Sequence, residues 1–273
     1  MRNLPDIAQY KHIEIDGSGH LDKGSFNDKY GYASVPVIFK GIAKNWGIVS
    51  QWDFGFFKDN YGTHTEKVSN SSQTRDEVFS ISEFCDYSLT TSDADPYYLK
   101  TSFHIHTGLA KSYAVPEFFD CWYDKDPRKK IKLSWIYIGP ENSFSSLHVD
   151  SWDTSAWNLV TKGKKIWLFY HPDQAGFLYD GHVNPFYPDH EQYPLFKHAV
   201  PLVCVQEPGE IVFTPSTWWH AVYNIEPGIS LTENFINETN FKNVLSHFEE
   251  QNMLKALAAM TDIVNANMHL NQK

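Results

Sequence analysis

The sequence predicts a mainly β fold with flanking helices, on two observations. From residue 131 onwards the chain carries six segments rich in β-branched and aromatic residues, separated or interrupted by turns such as GP, KGKK, EPGE and EPG. After residue 236 the spacing of apolar residues changes to that of a helix. Several short strands with turns between them are typical of a β-sandwich or a closed barrel.

The region that precedes Ile131 mixes strand and helix patterns and does not decide the fold by itself. The segment SVPVIFK predicts an entering strand, SISEFCDYSL a helix, PYYLKTSF a second strand, and VPEFFDCWYD a turn into a short helix. We interpret this half as an elaboration on the sheet that follows.

The predicted strands of the β region lie between residues 131 and 236. They are IKLSWIYIG, SSLHVDS, AWNLVTKGKKIWLFY (interrupted by its KGKK turn), LVCVQEPGEIVFTPS, HAVYNI and GISLTENFI. Beyond them, apolar residues from Phe241 to Ala258 follow a helical period with a break near Asn252. This last segment is either a helical cap on the sheet or a dimerisation arm.

The length and composition favour one domain. The chain has 273 residues, of which 42% are hydrophobic and 16% aromatic, which is ample material for a core. No repeat, low-complexity tract or Gly/Ser/Pro-rich linker divides it. We therefore predict a single domain over 1–273, with an N-terminal elaboration (1–130), a β core (131–236) and C-terminal helices (237–273).

The charge and the cysteines limit the classes of partner and compartment. The 23 basic and 33 acidic residues give a formal charge of −10, and the one basic run is DPRKKIK at 126–132. Nucleic acid is therefore not expected as the main partner, whereas a basic peptide would meet a favourable field. Cys85, Cys121 and Cys204 are scattered and fit no disulfide framework. Because the sequence shows neither an apolar run long enough to span a membrane nor a signal peptide, we predict a soluble, intracellular protein without a membrane partner.

The segment SLHVDSWDTSAWN (146–158) carries the first candidate for chemistry. His148 and Asp150 point to the same face of a strand, because side chains alternate with period two. Imidazole and carboxylate can thus converge on one metal ion, although a buried hydrogen-bonded pair is the alternative. Two other His-x-Asp copies, at 20–22 and 171–173, lie in a predicted loop and turn, so the motif alone is weak support.

A facial iron site needs two histidines and one carboxylate, so a third ligand is required. The segment EPGEIVFTPSTWWHAVYN (207–224) supplies His220, which opens another predicted strand much later in the chain than His148. Closed or double-sheet β architectures bring such distant strands side by side. The alternative for His220 is a core histidine beside two tryptophans.

A strand lysine suggests an anionic co-substrate. Lys165 enters the apolar strand KIWLFY, where burial without an anion would be costly. A dicarboxylate such as 2-oxoglutarate, chelated by the metal at one end, would need a cation and hydroxyls at the other. Thr232 and Asn234 share one strand face and are available to the same pocket. The alternatives are that Lys165 forms the exposed edge of a turn, and that Thr232 and Asn234 lie on a solvent face.

Two stretches together resemble a known family. IGPENSFSSLHVDSWDTSAWNLVTKGKKIWLFYHP and EPGEIVFTPSTWWHAVYNIEPGISLTENF are similar to the JmjC-domain oxygenases, which use Fe(II) and 2-oxoglutarate. The likeness is strongest to the branch that contains a JmjC lysyl hydroxylase also described as an arginine demethylase. TSAWN and WWH are its most specific features, and it extends from about residue 30 to 240. The resemblance does not extend to the basic and serine-rich extensions of that branch.

This resemblance implies a fold and a set of site residues. The implied fold is a double-stranded β-helix (jelly roll of the cupin type) with C-terminal helices. The implied iron ligands are His148, Asp150 and His220. The implied 2-oxoglutarate contacts are Lys165 for the far carboxylate, Thr232 and Tyr97 as hydroxyl partners, and Asn158 and Asn234 lining the pocket.

The activity that the resemblance implies is a dioxygenase that hydroxylates a lysine, asparagine or arginine side chain of a protein or peptide, releasing succinate and CO2. N-methyl demethylation and small-molecule hydroxylation use the same chemistry and stay open. A non-catalytic, metal-binding cupin module is the alternative from another class. A zinc hydrolase could use the same three ligands but would leave Lys165 unexplained. A homodimer through the C-terminal helices is a further expectation.

Overall fold

A computed structural model describes residues 6–129 and 131–270 of the chain. Expectations for residues 1–5, 130 and 271–273, which include both ends of the predicted domain, lie outside the described residues. The described strands are β1 (Lys11–His12), β2 (Glu14–Asp16), β3 (Val37–Phe39), β4 (Thr65–Asn70), β5 (Asp76–Ser80), β6 (Tyr97–Thr101), β7 (Ser134–Gly139), β8 (Phe144–His148), β9 (Ser155–Lys162), β10 (Lys165–Tyr170), β11 (Leu202–Gln206), β12 (Ile211–Thr214), β13 (Trp219–Asn224) and β14 (Gly228–Phe235). The α-helices are α1 (Lys23–Phe26), α2 (Gly47–Gln51), α3 (Phe54–Tyr61), α4 (Ile81–Thr90), α5 (His104–Thr107), α6 (Phe241–Glu250) and α7 (Leu254–Leu270).

Strands β7 to β14 form two antiparallel sheets that face one another. The larger sheet has the central order β12-β9-β14-β7, and the smaller has the order β11-β10-β13-β8. Successive strands thus change sheet repeatedly, which is the connectivity of a double-stranded β-helix. The sequence-based prediction of this fold, mainly β with flanking helices, is confirmed.

Both edges of the larger sheet are extended by the N-terminal half. Strands β6, β4 and β5 continue it beyond β7, and β3 and β2 continue it beyond β12. The helix predicted from SISEFCDYSL is α4, and its N-terminus is fixed by a capping box between Ser80 and Glu83. The half that left the fold undecided by sequence therefore builds part of the sheet itself.

The strands are apolar on both faces because both faces are covered. Along β9, Ala156 and Asn158 line the interior pocket, whereas Trp157 and Leu159 belong to the outer core. That outer core is shared with N-terminal and C-terminal residues such as Trp52 and Phe248. The outer face of the smaller sheet is covered by the segment 178–196. This double coverage explains why the strand segments lack a simple apolar and polar alternation.

The C-terminal segment folds as two helices with the predicted break. Helix α6 ends before Asn252, which adopts a left-handed backbone with φ of 53°, and α7 begins at Leu254. Val244 and Phe248 of α6, together with Ile263 of α7, are buried in the outer core of the larger sheet. The segment is therefore a helical cap. Within the described ranges, no helix combines the length and the apolar character needed to cross a membrane.

Candidate metal centre

Strands β8 and β13 bring the two distant histidines together. His148 stands directly opposite His220 in the antiparallel register, and the centroids of their rings are 4.2 Å apart. Asp150 follows β8 by two residues. One ligand atom from each of these three side chains lies within 4.8 Å of the other two. The structure thus assembles two imidazoles and one carboxylate from segments that are far apart in sequence.

The hydrogen bonds of the two rings fix which nitrogen faces the site. Nδ1 of His148 lies 2.7 Å from the carbonyl oxygen of Ser146, and Nδ1 of His220 lies 3.1 Å from that of Trp218. Because a carbonyl oxygen can only accept, each Nδ1 carries the proton and donates. Each Nε2 is then left with a free lone pair, which is the form of histidine that binds metals.

The carboxylate of Asp150 has room for a positive ligand. Among the described residues, its Oδ2 is buried and has no hydrogen-bond partner. A buried carboxylate oxygen without a donor is unfavourable unless a cation or another donor reaches it. The residues present therefore fit a divalent metal ion, and two histidines with one carboxylate are the donor set of facial iron sites.

Burial keeps His220 neutral over a wide pH range. Desolvation is the larger cause and the neighbouring His148 the smaller one, and together they lower the pKa of His220 to about 4. The ring also lies between aromatic neighbours, with the centroids of Trp167 and Phe169 at 6.0 and 6.1 Å. A neutral, rigidly packed imidazole is prepared to donate its lone pair without first losing a proton.

Lys165 lines the same pocket as the three metal-site residues. Its side chain is buried, and Nζ donates a hydrogen bond of 2.7 Å to the hydroxyl of Tyr98. No carboxylate in the described part of the chain forms a salt bridge with it, and burial lowers its pKa to about 7. Such a lysine lacks the counter-ion that normally accompanies a buried ammonium group, so the pocket favours an anionic ligand.

Asn158 and Thr232 also face the pocket, from neighbouring strands of the larger sheet. They are direct partners in the register of β9 and β14, and Nδ2 of Asn158 donates to Oγ1 of Thr232 over 2.7 Å. The threonine hydroxyl therefore keeps its own proton for another acceptor. Asn158 Oδ1 is buried and has no partner within 6–129 and 131–270. These two polar side chains are therefore available to a ligand that enters the pocket.

The structure does not bring Tyr97 to the pocket. Strand β6 alternates, so Tyr98 points inward to Lys165 while Tyr97 points outward and packs against Phe79 and Tyr87 at centroid distances of 5.5 and 5.8 Å. The sequence YY left this choice open, because two adjacent strand residues point to opposite faces of the sheet and either tyrosine could be the inward one. Tyr98 is thus a pocket residue that sequence reasoning missed, and Tyr137 is another.

Asn234 also has a different position from the one expected. It is not among the residues that line the metal pocket; its Nδ2 donates to Oγ1 of Thr154 over 2.8 Å. Thr154 in turn donates to the carbonyl oxygen of Ser151. Asn234 therefore contacts the loop that follows Asp150 through its Nδ2, while its buried Oδ1 has no hydrogen-bond partner among the described residues.

Comparisons with known proteins agree with this geometry. Residues 23–243 match the family described as a cupin-like domain. The chain is 32% identical to the lysine-specific demethylase JMJ21 of Arabidopsis thaliana, over 86% of this chain and 27% of that protein. It is 28% identical to the bifunctional arginine demethylase and lysyl-hydroxylase psr-1 of Caenorhabditis elegans, over 83% of this chain and 61% of that protein.

The name of a third relative includes both iron and 2-oxoglutarate. The 2-oxoglutarate and iron-dependent oxygenase JMJD4 of Mus musculus is 28% identical over 81% of this chain and 59% of its own length. The chain thus spans between about a quarter and three fifths of these relatives. Because the family match covers most of the chain and the β-helix carries its two-histidine, one-carboxylate cluster, this chain belongs to the cupin-like domain family, as its JmjC resemblance implied.

Proposed function

We propose that this chain is an Fe(II)- and 2-oxoglutarate-dependent dioxygenase that hydroxylates a side chain of a protein or peptide and releases succinate and CO2. The observation that carries the proposal is the combination of two sites in one pocket. His148, Asp150 and His220 offer three ligand atoms within 4.8 Å of one another, and the buried Lys165, which has no carboxylate partner among the described residues, lines the same cavity. A metal-only site would not require that lysine.

Each pocket residue has a separate task in this proposal. The two Nε2 atoms and the Asp150 carboxylate would hold the iron. Lys165 and the hydroxyls of Tyr98 and Thr232 bind the far carboxylate of 2-oxoglutarate through charge-assisted hydrogen bonds. The buried setting strengthens these bonds because little water competes for them.

When bound, iron supplies the oxidation of a C–H bond by dioxygen, coupled to loss of CO2 from 2-oxoglutarate. The protein's contribution is to position the reactants and to keep bulk water away. Trp167 and Val222 form an apolar part of the pocket wall next to His220. No side chain has to act as a strong general base.

An anaerobic titration tests this proposal. Fe(II) and then 2-oxoglutarate are added to the metal-free protein, and a weak visible charge-transfer band is expected when both are bound. The band should be absent in His148→Ala and weakened in Lys165→Ala. If the metal binds and 2-oxoglutarate produces no band, the co-substrate assignment is wrong and the metal-binding module becomes the better description.

Lysine, asparagine and arginine side chains are the substrate types we propose. The relatives named as a lysyl-hydroxylase and as lysine or arginine demethylases support a protein substrate over a small molecule. Hydroxylation of an N-methyl group would release formaldehyde, so assaying formaldehyde beside succinate separates demethylation from stable hydroxylation. The formal charge of −10 favours a basic polypeptide over nucleic acid as the partner.

A homodimer through the C-terminal helices is part of the same proposal. Met253, Leu254 and Met268 are exposed apolar residues on or next to α7, which supports an interface there. Sedimentation analysis of the wild-type protein and of Leu254→Glu tests it. We also propose an intracellular location, which the three free, buried cysteines support.

A further inference from the structure

The loop that carries Asp150 has an unusual backbone. Asp150 directly precedes a single 3-10 turn (Ser151–Asp153), and within it Trp152 and Asp153 both adopt left-handed conformations, with φ of 61° and 54°. Neither is a glycine, and adjacent left-handed residues with side chains are disfavoured. Other parts of the protein must therefore hold this turn in place.

The ring of Trp152 is held from two sides. It packs edge-to-face against Phe248 of α6 at a centroid distance of 5.4 Å, and against Tyr123 at 5.7 Å. Phe248 is itself buried in the outer core. Helix α6 therefore packs directly against Trp152, two positions after Asp150.

The neighbouring Asp153 is held by polar contacts to the same helix. Its Oδ2 lies 3.2 Å from Nδ1 of His247, which is on α6. Its carbonyl oxygen accepts a hydrogen bond of 2.5 Å from Oγ of Ser216, and Nδ2 of Asn243, again on α6, donates to that Oγ over 2.9 Å. Three side chains of one helix therefore act on this turn, directly or through Ser216.

Ser216 belongs to the other metal-site loop. It precedes His220 by one short turn, and the intervening Thr217 is also left-handed, with φ of 67°. The backbone N–H of Ser216 donates to Oγ of Ser155, so the loop is fastened to β9 as well. The hydrogen bond from Ser216 to Asp153 consequently joins the loop of Asp150 to the loop of His220, and Asn243 supports that joint.

We propose that Asn243, His247 and Phe248 of α6 are positioning residues for the metal centre. They touch neither the metal pocket nor its ligands; they hold the two strained loops in the arrangement that brings Asp150 and His220 to a common point. Strain in the unsupported loops would otherwise let the ligand atoms move apart. This inference rests on the proposed metal site and assigns the C-terminal helix a role in metal affinity beyond covering the sheet.

The test uses Co(II) as a spectroscopic probe of the metal site in the full chain. Asn243→Ala/His247→Ala removes the two polar supports and leaves the buried Phe248 in place. We expect its dissociation constant for Co(II) to rise about tenfold to a hundredfold, the range typical of residues that orient metal ligands. Glu249→Ala, an exposed change on the same helix, is the matched control and should bind Co(II) as the wild type does.

A conservative variant separates positioning from general stability. Asparagine places an amide N–H near the position of the histidine Nδ1, so His247→Asn should restore much of the affinity that His247→Ala loses. Thermal unfolding of each metal-free variant shows whether the fold is intact. If the double variant proves unstable, Asn243→Ala alone can be tested. Asn243 is exposed, and this substitution still removes the hydrogen bond from its Nδ2 to Ser216.

The possible outcomes test the positioning role of α6 and the metal site separately. Folded variants that bind Co(II) with wild-type affinity and an unchanged visible spectrum would overturn the positioning role. A wild-type protein that binds no Co(II) would instead overturn the metal site and with it the proposed function. Weakened binding with rescue by His247→Asn supports the role assigned to α6.

Discussion

Two buried charges, Lys165 inside the β-helix and Glu233 on the larger sheet, are treated very differently by the fold. Each is less than one tenth exposed. Glu233 Oε1 accepts hydrogen bonds from Tyr113 at 2.6 Å and Ser134 at 2.9 Å, and it pairs with Lys132 at 2.8 Å. Among the described residues, the side chain of Lys165 has one hydrogen bond, to the hydroxyl of Tyr98.

The difference separates a structural charge from a binding charge. A buried charge with a complete set of partners contributes to the folded state, and removing it leaves its partners unsatisfied. A buried charge that lacks a counter-ion weakens the empty protein and gains its partner when a ligand arrives. On this comparison Glu233 has a structural role, whereas the proposed function gives Lys165 an anionic ligand as its partner.

Among the substitutions that test this comparison, Lys165→Met should have the largest effect. We expect the affinity for 2-oxoglutarate to fall by at least about a hundredfold, because a desolvated charge pair is lost. The free energy of unfolding of the ligand-free protein should rise by roughly 1 to 4 kcal/mol, because methionine fills the site without a buried charge. Calorimetric titration and urea unfolding measure the two effects. Loss of stability together with loss of binding would contradict the binding role.

Glu233→Ala should give the opposite pattern. We expect the free energy of unfolding to fall by about 2 to 3 kcal/mol, because Tyr113 and Ser134 lose their buried acceptor. Metal and 2-oxoglutarate affinities should stay within about twofold of wild type, measured at a temperature where the variant is folded. A large change in affinity at unchanged stability would show that the carboxylate takes part in binding.

The pH dependence of 2-oxoglutarate binding sharpens the assignment of Lys165. The pKa of the free lysine is lowered to about 7, and a bound carboxylate must raise it again. Binding should therefore be strongest below pH 7 and weaken about tenfold per unit as the pH rises above 7, until the pKa of the bound lysine is reached. Titrations at about pH 6.5 to 9, a range that begins just below the pKa of the free lysine, test this expectation. Lys165→Met should lack the slope.

The smallest expected effect distinguishes two adjacent tyrosines. Tyr98→Phe removes the hydroxyl that touches Lys165, so the affinity for 2-oxoglutarate should fall by about five- to tenfold, as expected for one hydrogen bond. Tyr97→Phe is the matched control, since that side chain packs in the outer core. Equal effects of the two variants would contradict the inward position of Tyr98.

Much of the candidate site could be predicted because it follows local periodicity. Strand β8 ends at His148, but Asp150 still has an extended backbone, so the period-two spacing predicted for the pair holds two residues beyond the strand. The entry of Lys165 into an apolar strand is visible in the sequence as a lysine at the start of KIWLFY. Asn234 shows the limit of this reasoning. Period two places it on the face of Thr232, yet its amide is bound to Thr154, a contact set by a loop that periodicity does not describe.

The sequence by itself determined the strands of the β core, helix α4, the break near Asn252 and the residue types of the site, since these depend on short-range spacing. Only the tertiary structure decided which partners meet. The register of β8 on β13 places His148 opposite His220, the pairing of β6 with β7 turns Tyr98 inward, and the packing of α6 joins the two ligand loops. Such contacts depend on which strands pair and where helix α6 packs, and no local pattern encodes the distance between residues that are far apart in the chain.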